Sequence, residues 1–283
     1  MKIIKADVLG MCFGVRDALA ALAEVERPQE VTIHGELVHN ERVLAQLQER
    51  GFRMVDETRR TALPVTETVL ITAHGVSEVE RRRLENAGRK LIDTTCPLVV
   101  RVHQAARKLA AEGYFVVLIG KRGHVEVQGI VEDLEDYVVV EGPSEVRTYS
   151  QPRLGVVCQT TTTTRHAEQV RAALRERNPG AEIRYVDTIC LPTKEHQQAL
   201  DDLLQRVEAM VVVGGRNSNN TRQLAARCQE YGIPAFHVQG ADDLQPEWFD
   251  GVEVVGLTAG TSTLDETIQA VHERLEAIAH TFV

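Results

Sequence analysis

No run of apolar residues in this 283-residue chain reaches the roughly 18 to 20 positions that a membrane-spanning helix needs, so no membrane span is expected. Low-complexity tracts are missing, and glycine (20) and proline (9) are used at ordinary frequency, which argues against fibrous or disordered segments. Positive charge is not in excess either. The formal net charge is −9, with lysine and arginine dispersed, so a surface that tracks nucleic-acid phosphates is not expected. No Gly-x-x-x-x-Gly-Lys-[Ser/Thr] loop and no Gly-x-Gly-x-x-Gly turn occurs, and the GKRGH segment at 120–124 matches neither. A bound nucleotide or flavin is therefore not indicated, and any electrons come from outside. The lysine-led N-terminus lacks a small-residue cleavage site and runs into a strand-like pattern, which leads to the expectation of a soluble, cytoplasmic protein. Cysteine is sparse, with five residues and no Cys-x-x-Cys or His-x-x-x-His pair, so the compact zinc patterns are missing.

What is present is a repeat. Three segments share one plan, a short apolar run ending at a cysteine and then a helical pattern: IIKADVLGMCFGVRDALAAL, KLIDTTCPLVVRVHQAARKL and EIRYVDTICLPTKEHQQALDDLL. Their cysteines, Cys12, Cys96 and Cys190, stand 84 and 94 residues apart, a small-domain length rather than a solenoid period. Runs such as VVLIG (116–120), VVVGG (211–215) and VVGLTAG (254–260) read as parallel strands buried on both faces. Alternation with helical stretches gives βαβ units. The fold class expected is α/β, with three similar small domains of parallel sheet around a pseudo-threefold axis and the three cysteines meeting at a central cavity. The segments are 1–96, 97–190 and 191–264, and a C-terminal tail, 265–283, packs back on the first.

Two further strands in each third end in polar, glycine-bearing turns. In open parallel sheets the loops at the carboxyl ends of the strands carry the ligand site. These turns hold His39, His74 and His124, then Thr160 to Thr164, then Ser218, Asn219 and Asn220, then Thr261 and Ser262. Neutral donors at helix starts, with free backbone N–H groups, suit a phosphate or diphosphate. Helix capping explains any one such turn, but not six with three histidines. Glu126, in GHVEVQG, is placed to deliver protons if burial raises its proton affinity.

Three cysteines at equivalent positions before helices suit a [4Fe-4S] cluster with one iron left open, since full protein ligation takes four. Packing cysteines and a zinc site are the competing readings. Repetition argues against the first, and the lack of compact ligand pairs against the second. Cys158 in LGVVCQ and Cys228 in a helical stretch fall outside the repeat and read as core residues.

The motifs GMCFGV, ELVHN, AHGVS, DTTCPLV, GHVEVQG, QTT, RNSNNTRQL and TAGTS, in this order across nearly the whole chain, resemble the 4-hydroxy-3-methylbut-2-enyl diphosphate reductase family. The resemblance implies a pseudo-threefold trefoil of three α/β domains around a central [4Fe-4S] iron-sulfur cluster on Cys12, Cys96 and Cys190. It implies reductive dehydroxylation of the substrate to isopentenyl and dimethylallyl diphosphates plus water, the last step of the methylerythritol phosphate route to isoprenoids. It places the diphosphate and the substrate hydroxyl on His39, His74, His124, Thr160, Ser218, Asn219, Asn220 and Ser262. Glu126 becomes the proton source, working through a relay that includes Thr160, and an external donor such as ferredoxin or flavodoxin supplies electrons. Departures from the family pattern are Val125 in place of a common proline, Asn219 for serine or glycine, Leu191 and Pro192 after the third cysteine, and His196 for a frequent arginine. Two other readings share the scaffold. A non-catalytic iron-sulfur sensor would need no proton relay, and a related reductase for another allylic phosphate has only Val125 and Asn219 as pointers.

Overall fold

The computed structural model describes residues 1–56, 60 and 62–281; positions 57–59 and 61 of the expected first segment and 282–283 of the expected tail lie outside the described residues. The chain forms three parallel, four-stranded sheets with helices between strands, the α/β class expected from the buried apolar runs. Strands β2 (Val31–His34), β3 (Arg53–Val55), β4 (Thr68–Ile71) and β5 (Lys90–Asp93) pair in the order β3-β2-β4-β5. Strands β6 (Phe115–Ile119), β7 (Tyr137–Val140), β8 (Arg153–Cys158) and β9 (Glu182–Tyr185) pair as β7-β6-β8-β9. The last sheet takes β10 (Ala209–Val213), β11 (Ala235–Val238) and β12 (Val254–Ala259) from the C-terminal third and β1 (Lys2–Lys5) from the N-terminus, in the order β1-β12-β10-β11.

The three orders are one topology. Each sheet has two inner strands whose order reverses the chain direction, the crevice at which parallel sheets bind ligands. The fourth strand, β5, β9 or β1, lies outside the third, and a cysteine follows it in every case. Strand β1 is distant in sequence from the sheet it completes, where Lys2 pairs with Val254 and Lys5 with Leu257.

Nine α-helices are seen among the described residues: α1 (Phe13–Ala23), α2 (Glu41–Glu49), α3 (Glu78–Asn86), α4 (Pro97–Ala111), α5 (Val125–Val131), α6 (Thr164–Arg177), α7 (Leu191–Leu204), α8 (Asn219–Tyr231) and α9 (Asp265–Thr281). By contacts the chain groups into two compact units, one of Met1–Arg16, Val38–Gln46 and Leu191–Val283, the other of Asp17–Leu37 and Leu47–Cys190. In the first, Val211, Val213, Val255 and Leu257 pack under Ile268, Val271 and Leu275 of α9, while Met210 and Val212 face Leu200 and Leu203 of α7 and Leu224 of α8. In the second, Val116 and Leu118 of β6 join Val102, Ala106 and Leu109 of α4, and Val117 and Ile119 join Val170 and Leu174 of α6. Strand periodicity thus sends alternate residues of one run to two cores. No helix among the described residues is long and apolar enough to cross a membrane.

His103, on α4, is an uncharged polar group within this packing. It is 7% exposed, its Nδ1 lies 4.0 Å from Asp133, and its Nε2 has no hydrogen-bond partner among the described residues. Burial lowers its pKa from the ordinary 6.5 to about 4, against the opposing pull of the Asp133 carboxylate. Between those values the unfolded chain holds a proton that the folded chain does not, so stability rises with pH across this window and is lost as pH falls through it. Urea unfolding at pH 7 and pH 4.5 is expected to show His103→Gln losing roughly 2 to 3 kcal/mol less than the parent chain. Equal losses in both proteins would contradict a buried neutral His103.

Candidate active site

The three repeated cysteines occupy one structural position. Cys96 is the N-cap of α4, while Cys12 and Cys190 immediately precede α1 and α7. Each donates its backbone N–H to a carbonyl just past the neighbouring strand: Cys12 to Thr261 at 3.0 Å, Cys96 to Ala73 at 3.1 Å, Cys190 to Thr160 at 3.0 Å. All three are partly exposed. Burial raises the Cys12 pKa, opposed by the amides of Val15 and Gly14 at the start of α1 and by Arg16. A bound cation would tip that balance towards the thiolate. Cys158 and Cys228 are fully buried. The Cys158 Sγ lies 3.8 Å from the Tyr185 hydroxyl, and the Cys228 thiol donates to the Leu224 carbonyl, with burial pushing its pKa up to about 12. Both are core residues. Among the described residues no three His, Cys, Asp or Glu side chains gather closely enough to hold a single metal ion. A cubane does not ask for that, since each thiolate binds its own iron.

The second unit brings four of the expected residues together. Glu126, 2% exposed in the first turn of α5, accepts the Thr160 N–H at 2.7 Å on one carboxylate oxygen and the Thr160 hydroxyl at 2.8 Å on the other. His124 caps α5, its Nδ1 accepting the Glu126 N–H at 3.2 Å, so the neutral ring carries its proton on Nε2. His74 meets that ring edge-on, with centroids 5.8 Å apart. The His74 turn depends on Gly75, at φ +72°, where a Cβ would lie 2.9 Å from Thr95.

The first unit holds the other group. Ser218 caps α8 by accepting the Thr221 N–H, Asn219 and Asn220 open that helix, and the Asn220 side chain accepts the Thr261 N–H at 3.0 Å. The Ser262 hydroxyl donates to the His39 carbonyl at 3.3 Å. Ser218, Asn219, Asn220 and Ser262 are all at least nine-tenths buried.

Two positioning residues escaped the sequence reading. Asn40 caps α2 through its Oδ1, which accepts Arg42 and Val43 N–H groups, and donates from Nδ2 to the Ser262 carbonyl at 2.7 Å. Gln159, fully buried, accepts the Lys121 N–H at 3.0 Å and so ties the loop before His124 to the loop of Thr160. Both stand beside expected residues, and that adjacency was their one signal. The departures also find places. Val125 is the first residue of α5, where proline is favoured because that N–H has no helical acceptor, and valine keeps the helix start. His196 lies between the Pro192 and Gly10 carbonyls, at 2.8 and 3.0 Å, and braces the loop leading to Cys12. Leu191 is 61% exposed.

The family model described as LytB protein matches residues 3–276. The chain belongs to the LytB family. Among its relatives, the 4-hydroxy-3-methylbut-2-enyl diphosphate reductase of Syntrophotalea carbinolica is 36% identical over 279 residues, covering 97% of this chain and 98% of the relative. The enzyme of the same name from Aquifex aeolicus is 34% identical over 285 residues, covering 98% and 96%. The solved E-1-hydroxy-2-methyl-but-2-enyl-4-diphosphate reductase of Plasmodium falciparum superposes with a TM-score of 0.87 at 26% identity, covering 96% of this chain and 87% of that one. In this LytB chain, Asn40→Asp keeps the α2 cap but sets a carboxylate against the Ser262 carbonyl. Chemical denaturation is expected to show a loss of about 1 to 3 kcal/mol. A change below about 0.5 kcal/mol would mean that Asn40 does not brace the Ser262 turn.

Proposed function

We propose that this chain reduces (E)-4-hydroxy-3-methylbut-2-enyl diphosphate to isopentenyl and dimethylallyl diphosphates, the terminal step of the methylerythritol phosphate route. Two electrons and two protons enter, the allylic C–O bond breaks, a C–H bond forms, and water leaves. Membership of the LytB family supports the reading, and the observation that carries it is the buried Glu126 carboxylate joined to Thr160 at both oxygens. Cys12, Cys96 and Cys190 would hold one [4Fe-4S] cluster; their equivalent places at helix starts and their partial exposure fit it. Bound there, the cluster supplies an open iron as Lewis acid and passes the electrons.

The chain's own residues supply binding and protons. His124 presents Nε2–H as a donor, and His39 and His74 join it on the diphosphate and the substrate hydroxyl. Ser218, Asn219, Asn220 and Ser262 add neutral donors at and near the start of α8, where helix amides favour an anion. Glu126, once protonated, hands a proton to the substrate by way of the Thr160 hydroxyl, which releases its own proton as it takes the one from Glu126, and its burial keeps bulk water from replacing it. Electrons come from an external carrier such as ferredoxin or flavodoxin, in the cytoplasm.

Anaerobically reconstituted protein with reduced methyl viologen is expected to form both products from the substrate. A cluster-replete preparation that forms neither would refute the reading. In Glu126→Gln, iron content and substrate affinity should persist while turnover falls by roughly 10²- to 10⁴-fold. Turnover equal to the parent's would remove Glu126 as the proton source.

A further inference from the structure

Helix α5 is seven residues long, and both of its ends hold functional loops. At its start stand His124 and Glu126. Past its other end, Glu132 accepts the Ser77 hydroxyl, and Asp133 accepts the Glu78 N–H at 3.0 Å and the Val79 N–H at 3.3 Å, one on each oxygen. Ser77 is itself the N-cap of α3, accepting the Glu80 N–H at 2.9 Å, and only Gly75 and Val76 separate it from His74. Midway along α5, Gly129 faces the Val76 and Ser77 backbone, where a Cβ would lie 3.6 Å from each. A longer side chain would push the His74 loop away.

The first amides of a helix need acceptors, and a residue just before the helix usually supplies them. For α3 the acceptors come partly from another element, so the cap satisfies donors and also fixes where the helix starts. The far end of α5 cannot drift, because Glu126 is held by Thr160 at 2.7 and 2.8 Å. We propose that Glu132 and Asp133 are positioning residues for the reductase, using α5 as a strut that sets His74 at its working distance from His124. This rests on the proposed function only for its consequence in turnover.

Turnover and the histidine ring resonances of ¹⁵N-labelled, substrate-free protein, assigned with His74→Gln and His124→Gln, test it together. Asp133→Asn offers one acceptor where two amides need one each. It is expected to lower kcat/KM about 10- to 100-fold at unchanged iron content, with the His74 ring signals displaced and those of His237 unmoved. Glu132→Ala should act in the same direction, and Glu132→Gln, which keeps an acceptor for Ser77, should restore most of the loss. Unmoved His74 signals with parent-like kcat/KM in both Asp133→Asn and Glu132→Ala would overturn the strut. Loss of iron in step with activity would overturn it too, in favour of a general structural role. Should Asp133→Asn fail to fold, the Glu132 pair decides. Should the parent protein itself not turn over, the proposed function fails while the ring signals still decide the strut.

Discussion

Each repeated cysteine is the last rung of a parallel ladder. Beyond β5 and β4, Thr94 donates to Ile71 and Cys96 to Ala73; beyond β1 and β12, Gly10 donates to Ala259 and Cys12 to Thr261. Beside β4 these steps continue the strand register, whereas beside β12 the chain first slips, from Ala6 bonding Leu257 to Gly10 bonding Ala259, and then resumes steps of two residues. Cys190 donates to Thr160 in the corresponding place beside β8. A thiol held this way stands at the carboxyl end of its sheet and at the start of a helix, where anions and thiolates are favoured. It cannot shift along the chain without breaking backbone pairing. One constraint, applied three times, therefore sets the position of every proposed cluster ligand.

The same rung joins a proposed cluster ligand to the proposed proton source in the second unit. The Thr160 carbonyl accepts from Cys190, while the Thr160 N–H and hydroxyl both go to Glu126. The Cys190 backbone, the threonine and the carboxylate thus form one hydrogen-bonded series. His124 follows from it, because its ring accepts the Glu126 N–H. Such a series holds its members to small tolerances, as the proposed proton transfer requires.

Much of this was legible in the sequence. The apolar runs gave the parallel strands, and the equivalent cysteines told Cys12, Cys96 and Cys190 apart from Cys158 and Cys228 because only the former stand between strand and helix. Glu126 and Thr160 were joined in one relay by the family resemblance alone, and the structure brings them into contact. The partner of β1 was not legible, because an edge strand's sheet is chosen by packing far along the chain, here against β12. Asn40 and Gln159 were not legible as positioning residues, since a buried amide has no periodicity and is recognised only by what it bonds. The carboxylates Glu132 and Asp133 look like ordinary solvated charges after a helix until the amides of α3 are placed opposite them.

Iron and acid-labile sulfide per chain, measured after anaerobic reconstitution of five single variants, test the role of the ladder cysteines most directly. Cys158→Ala and Cys228→Ala should retain about four irons, while Cys12→Ser, Cys96→Ser and Cys190→Ser each lose or degrade the cluster. Full iron in the three ladder variants, or loss of iron confined to Cys158→Ala or Cys228→Ala, would contradict it.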